Sequence, residues 1–174
     1  MAAAKIVIAG GSGFLGKFLK EKFETLGFEV LVISRQKGNM QWENTSDIIN
    51  ALENASMLIN LAGKSVDCRY SEKNKKEILR SRIETTLTLG QAILKCKNPP
   101  ELWMNASTAT IYRHAEDRPM TESNGEIGSG FSVEVATKWE QAFFSFQLPE
   151  TRRVALRISI VLGKDGGALK PLVN

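Results

Sequence analysis

The sequence predicts an α/β domain, a doubly wound parallel sheet with helices on both faces, and three observations carry that prediction. Short, mainly apolar runs at 6–8, 29–33 and 57–61 alternate with longer segments of helical period. The first run passes directly into Gly10-x-x-Gly13-x-x-Gly16, which opens a helical segment. The chain has 174 residues, 43% of them hydrophobic and 24% charged, enough to bury the core of one such domain.

The glycine turn sets the chemistry. Gly10 permits a tight turn, Gly13 removes a Cβ that would block a phosphate approaching the backbone, and Gly16 lets helix and strand lie close. A helix N-terminus placed there offers unpaired N–H groups and a positive dipole end to a dinucleotide pyrophosphate. Residues 11–17 also fit the first seven positions of a P-loop, but Phe18 stands where a hydroxyl should hold magnesium. The dinucleotide pattern accounts for every glycine and is preferred.

Leu15, Phe18, Leu19, Lys22, Phe23 and Leu26 then fall on one face of a first crossover helix, and Gly27 stops it. Residues 29–33 form a second strand, parallel to the first. It ends in Ser34-Arg35, without the Asp or Glu that accepts from the ribose 2′-hydroxyl in NAD sites. Arg35 can make a charge-assisted bond to a 2′-phosphate, so the reading favours NADP with NAD the alternative; a solvated surface arginine is the bland one. Gln41-Trp42 closes a short third strand, and Thr45-Ser46-Asp47 caps a helix carrying Ile48, Ile49 and Leu52. Residues 57–61 are a buried strand ending in Ala62-Gly63, small residues that leave room for the adenosine half of a cofactor or simply make a tight turn.

A helix over 71–97 carries Leu79, Ile83, Leu87 and Leu94, with Gly90 on the same face. Pro99-Pro100 precedes a strand at 102–106, whose polar continuation Ser107-Thr108-Ala109-Thr110 can bond a substrate oxygen or cap loop backbone. Residues 117–130 form a surface loop, and Val135, Trp139, Ala142, Phe143 and Phe146 make a helical stripe. Residues 153–160 form the last strand, and 163–171 read as a loop entering something further.

Net charge is +4, but basic and acidic residues are interspersed, so no stripe for nucleic acid is present. Cys68, Cys96 and His114 have no metal-ligand spacing, and no apolar run is long enough to span a bilayer. The expectation is a cytoplasmic protein without structural metal.

Six segments together resemble a known family: 10–16 (GGSGFLG), 60–63 (NLAG), 81–86 (SRIETT), 107–112 (STATIY), 138–140 (KWE) and 157–163 (RISIVLG). They look like the extended short-chain dehydrogenase/reductases, and more narrowly the atypical branch described as NAD-dependent epimerase/dehydratase-like or nucleoside-diphosphate-sugar epimerase-like. Strands alternating with helices behind a glycine turn make a doubly wound Rossmann sheet of order 3-2-1-4-5-6, and the resemblance implies Gly10, Ser12, Gly13, Phe14, Leu15 and Gly16 on the pyrophosphate. It implies Ser34 and Arg35 on the adenosine phosphate, and Leu61, Ala62 and Gly63 on the adenine and ribose. Thr108 falls where the superfamily places its catalytic Ser or Thr. The implied substrate is a polar carbonyl compound or nucleotide sugar, and the implied homodimer pairs residues 71–97 and 131–147, whose apolar stripes are equally explained by packing on their own sheet.

Two departures matter. Relatives use Tyr-x-x-x-Lys to move a proton during hydride transfer, whereas Tyr70 and Tyr112 are followed four residues on by Asn74 and Glu116. The expected place reads FSVEVA at 131–136, and the atypical branch resembles this chain in lacking the pair. Lys138, His114 and Glu134 are substitute proton carriers or plain surface residues. Extended relatives also continue into a substrate-binding part, so residues 1–174 read as an NAD(P)-binding domain ending where that part begins. An NADP-dependent oxidoreductase or epimerase is expected, with a non-catalytic NADP sensor or scaffold as the alternative.

Overall fold

The computed structural model describes residues 3–36, 39–163 and 166–168. Strands β1 (Lys5–Ala9), β2 (Glu29–Ile33), β3 (Met57–Asn60), β4 (Leu102–Thr108) and β5 (Arg152–Ile158) form one parallel sheet in the order β2-β1-β3-β4-β5. Met40 adds a single parallel bridge to Ile33 outside β2, so the expected order holds with its third strand reduced to one residue. Gln41 and Trp42 are not strand, because the chain turns at once (Asn44 N–H donates to Gln41 O, 3.2 Å) into α2 (Thr45–Leu52). The α2 cap is Asn44, one residue before the expected Thr45. Its side chain accepts from Asp47 N–H and donates to the Asp47 carboxylate, a reciprocal arrangement that Thr45 cannot make from inside the helix.

Side chains alternate across the sheet and divide the core. Ile6, Ile8 and Ile59 meet Leu19 and Phe23 of α1 (Phe14–Thr25) on one face. Val7, Ala9, Leu58 and Trp103 meet Ile48, Leu89 and Phe143 on the other, under α2, α3 (Glu72–Ile93) and α4 (Phe131–Phe144). Trp103 is fully buried, edge-on to Phe143 with ring centroids 4.7 Å apart.

The inward faces of the helices differ in part from their apolar stripes. On α1, Leu19 and Phe23 pack while Phe18 is exposed, and Leu26 lies past the last turn, where Gly27 at φ 86° ends the helix as expected. On α3 the buried face is Ile78, Thr86, Leu89, Gly90, Ala92 and Ile93, while Leu87 and Leu94 are exposed, Leu94 by 51%. Two interactions rotate α3 this way. Phe146 lies on Gly90, where an added Cβ would come 2.2 Å from the ring, and Thr86 is drawn inward by polar partners. On α4, Val135, Trp139 and Phe143 are buried as expected, as is Phe146 just beyond the helix, joined by Val133 and Ala136; Ala142 is half-buried.

β4 runs on through Ser107 and Thr108, and a short 3-10 turn (Ala109–Ile111) follows. β5 stops at Ile158, leaving Ile160 exposed. In the expected terminal loop, β6 (Leu162–Gly163) pairs antiparallel with β7 (Gly166–Gly167) against the Phe14 ring. Lys164, Asp165 and 169–171, also assigned to that loop, lie outside the described residues. No helix among the described residues is long and apolar enough to cross a membrane.

Candidate functional site

The turn between β1 and α1 is a cradle of backbone. Gly10 sits at φ +81°, and a Cβ there would come 2.8 Å from Ala62 N; a Cβ on Gly16 would come 2.5 Å from Gly11 Cα and 2.6 Å from Gly10 O. Both positions are closed to side chains by main chain, which cannot yield cheaply. A Cβ on Gly13 would meet only Gly10 O, at 3.4 Å, so the fold leaves that position open. Gly13 is also the N-cap of α1, and no side chain caps the helix. The amides of Phe14, Leu15 and Gly16 consequently have no hydrogen-bond partner among the described residues. Three free donors and the positive end of a 12-residue helix converge on one spot.

That spot opens into a crevice of about 560 Å³ at the C-terminal ends of β1, β3 and β4. Gly10, Gly13, Phe14, Leu15, Gly16, Leu61 and Thr108 border it together. A second groove, of about 390 Å³, is bordered by Arg35, Trp42, Ala62, Gly63 and Lys64. The consecutive residues Leu61 and Ala62 thus belong one to each. Ser12 and Ser34 border neither. Ser34 is buried, and its hydroxyl oxygen accepts from Gln36 N–H and Asn39 Nδ2, both at 3.0 Å, so it shapes the loop that presents the exposed Arg35.

Beneath the crevice lies a fully buried polar network. Asn60 Nδ2 donates to Asn105 Oδ1 (2.7 Å) and Thr86 Oγ1 (3.1 Å), Trp139 Nε1 donates to Thr86 Oγ1 (2.9 Å), and Asn60 Oδ1 accepts from Ala62 N–H (3.0 Å). The turn at 61–63 is thereby tied through β3 and β4 to α3 and α4. A second chain of bonds lies under Thr108. Ser107 Oγ donates to Glu140 Oε1 (2.6 Å), Arg157 pairs with both oxygens of that carboxylate (2.9 and 2.8 Å), and Arg157 Nη1 donates to the Tyr112 hydroxyl (2.5 Å). Burial pushes the Glu140 carboxyl up, but the Arg157 and Ser107 donors and the Arg157 charge outweigh it and hold the group below its ordinary value. Thr108 itself both borders the crevice and caps the 3-10 turn, its oxygen accepting from Thr110 N–H at 3.2 Å.

The substitute proton carriers are elsewhere. His114 is exposed beside Glu116, and Lys138 pairs with Glu134 (2.6 Å) on the outer side of α4; none of the three borders the crevice. Tyr70, Arg82, Phe131, Ser132 and Trp139 do; the sequence pointed to Trp139 as core, to Tyr70 for a motif it does not complete and to Phe131 and Ser132 as the place where the missing tyrosine should lie, while Arg82 stood only within the family segment 81–86. Arg82 lies four residues from both Ile78 and Thr86, on the face of α3 that turns inward, a face that the apolar stripe of the sequence does not identify.

Residues 6–130 match the model of the NAD dependent epimerase/dehydratase family. The chain belongs to that family. Among other members, the epimerase family protein SDR39U1 of Bos taurus is 33% identical over 172 residues, a match covering 95% of this chain and 57% of that protein. The chain therefore spans a little over half the length of this relative. The crystal structure of human epimerase family protein SDR39U1 (isoform 2) with NADPH superposes with a TM-score of 0.87 at 30% identity, over 97% of this chain and 58% of that one. A nucleoside-diphosphate sugar epimerase from Corynebacterium glutamicum shares the fold with a TM-score of 0.76 at 25% identity, over 98% of this chain and 37% of that one. The epimerase/dehydratase fold thus extends past the matched segment, through β5.

Proposed function

We propose that the crevice and groove together hold NADP, and that the protein is an oxidoreductase or epimerase acting on a polar carbonyl compound or a nucleotide sugar. The observation that carries this reading is the uncapped start of α1, whose three free amides belong to residues that border the crevice. Gly10, Gly13 and Gly16 would admit the diphosphate, Leu61, Ala62 and Gly63 the adenosine, and Arg35 the 2′-phosphate. Arg35 has no carboxylate partner among the described residues, which leaves its guanidinium available. The NADPH bound by human SDR39U1 supports the same choice.

When bound, the nicotinamide supplies or accepts hydride. Thr108, anchored by its bond from Thr110 N–H, would orient the reacting oxygen, and Tyr70 and Ser132 carry the hydroxyls nearest in kind to the missing tyrosine. The exposed Leu87, Leu94 and Phe144 on α3 and α4 support pairing of two copies. A non-catalytic NADP sensor is the second reading, favoured by the absence of any Tyr-x-x-x-Lys pair.

Titration with NADPH and NADH, monitored by cofactor fluorescence, tests the cofactor. NADPH is expected to bind at least about tenfold more tightly, the scale of a single charge-assisted bond, and Arg35→Ala is expected to erase the difference. Equal affinities in the parent would remove the NADP reading. Oxidation of bound NADPH by a panel of sugar nucleotides and aldehydes separates enzyme from sensor: binding without turnover, in this chain and in one extended past Asn174 to the length of its relatives, favours the sensor.

A further inference from the structure

Arg82 is the only charged side chain among the described residues that border the crevice. The remaining lining is glycine, hydroxyl, aromatic and aliphatic, so no carboxylate balances it there. Of the cations that border the second groove, Lys64 pairs with Glu77 at 2.7 Å and Arg80 with Glu84 at 3.9 Å, and Arg35 is taken up by its proposed 2′-phosphate role. Arg82 is half-buried, its guanidinium packed against the Gly63 backbone and 5.2 Å from the centre of the Trp139 ring. Burial pulls its proton affinity below the ordinary value, with only Tyr70 opposing the shift.

Its hydrogen bonds account for part of this placement. Nη1 donates to Lys64 O (3.1 Å) and Ile78 O (2.9 Å), which pins the loop after β3 to α3. A guanidinium has five N–H donors, and Nε and Nη2 have no partner among the described residues. Neither nitrogen is sealed in the interior, since the buried unpaired side-chain atoms are those of Trp103, Thr137 and Thr151. Holding two neutral carbonyls does not require a cation, and desolvating one without a counter-charge is costly.

We propose that Arg82 is a binding residue for a carboxylate or phosphate group carried by the substrate, received on the Thr108 side of the crevice. The side follows from the lining: Arg82 borders the cavity that contains Thr108, Tyr70 and Phe131 and is absent from the groove that contains Arg35. Trp139, itself locked by its bond to Thr86, holds the guanidinium plane, and a planar fork so held suits two-point bonding to an oxyanion. This assignment rests on the dinucleotide reading, because the cofactor's own phosphates must be accommodated at the glycine turn and Arg35.

The test uses the chain saturated with NADP+, so that the glycine turn is filled, and follows the Arg82 Nε–H resonance by NMR. The probes are malonate against malonamide and glucose 1-phosphate against glucose, which separate a carboxylate source from a phosphate ester. At least one charged probe is expected to shift that resonance and to bind about tenfold or more tightly than its neutral analogue, the scale of a charge-assisted bond. Arg82→Met should lose the discrimination, measured at NADP+ saturation because it also releases the loop pinned at Lys64; Arg82→Lys, whose ammonium can still donate to the Lys64 and Ile78 carbonyls, should keep part of the discrimination and hold NADP+ affinity within about threefold. Should Arg82→Met fail to fold, the parent resonance and Arg82→Lys still decide. An unmoved resonance, equal binding of charged and neutral probes, or discrimination surviving in Arg82→Met overturns the proposal. A tenfold loss of NADP+ affinity in Arg82→Lys reassigns the residue to the cofactor and also overturns it. Failure of the parent to bind NADP+ at all sinks the dinucleotide reading and this one with it; normal NADP+ binding with no charge preference sinks this one alone.

Discussion

Gly13→Ala is expected to fold like the parent and to bind NADPH at least about tenfold more weakly, the scale of one charge-assisted hydrogen bond to phosphate. Gly16→Ala is expected to lose stability and binding together. At Gly13 the backbone is extended (φ −76°, ψ 175°), which alanine adopts freely, and the new methyl meets only Gly10 O at 3.4 Å. Glycine ranks above alanine at an N-cap, so the exchange costs about 1 kcal/mol, which leaves the fold intact. The methyl would nonetheless stand beside the three open amides of α1, in the path of a phosphate. At Gly16 the methyl meets Gly11 Cα at 2.5 Å and Gly10 O at 2.6 Å, so helix and turn must part. Overpacking of that kind costs about 1–3 kcal/mol, or roughly 3–10 °C in Tm for a domain this size. Thermal melts with NADPH titrations on both variants check the pair. If Gly13→Ala bound NADPH as the parent does, the amides would not be the anion site.

The same contrast shows what could be read without coordinates. The spacing of the three glycines is largely a local signal, since Gly13 and Gly16 report steric facts about the chain within a few residues, whereas the close approach at Gly10 is to Leu61 and Ala62, far along the sequence. The sheet order was legible for a similar reason: strands linked through crossover helices have few permitted arrangements. The inward face of α3 was not legible from hydropathy. Leu87 and Leu94 are more apolar than Thr86, yet Thr86 is buried, because its partners Asn60 and Trp139 are 26 and 53 residues away in sequence. Ser34 shows the opposite error, a polar residue at the right strand end whose hydroxyl oxygen accepts from Gln36 and Asn39 of its own loop. Arg82 and Tyr70 escaped notice as crevice residues because nothing within a few residues of either identifies the cavity that they enter.

Glu140→Ala is expected to destabilise the fold by about 3–5 kcal/mol, the cost of leaving one member of a buried ion pair uncompensated. The pair is largely shielded from water, with Glu140 and Arg157 side chains 13% and 23% exposed, and the carboxylate also accepts a hydrogen bond from the Ser107 hydroxyl at 2.6 Å. Its loss strands a cation between α4 and β5 and frees the residue next to Thr108, so crevice geometry should loosen along with stability. Glu140→Ala/Arg157→Met should recover much of the loss, because replacing both charges by apolar groups removes the desolvation penalty that one leaves behind. Urea melts of the parent, single and double variants measure this coupling; additive losses would mean that the pair is not energetically linked. The pH dependence has a definite sign. The folded-state value of Glu140 lies below its ordinary one of 4.5, so its contribution is complete above that value and declines as pH falls through the folded value. Glu140→Gln cannot titrate and should lose that share of the acid dependence while keeping the Ser107 and Arg157 donors partly satisfied. An acid limb identical in parent and Glu140→Gln would show that the carboxylate is not held ionised by Arg157.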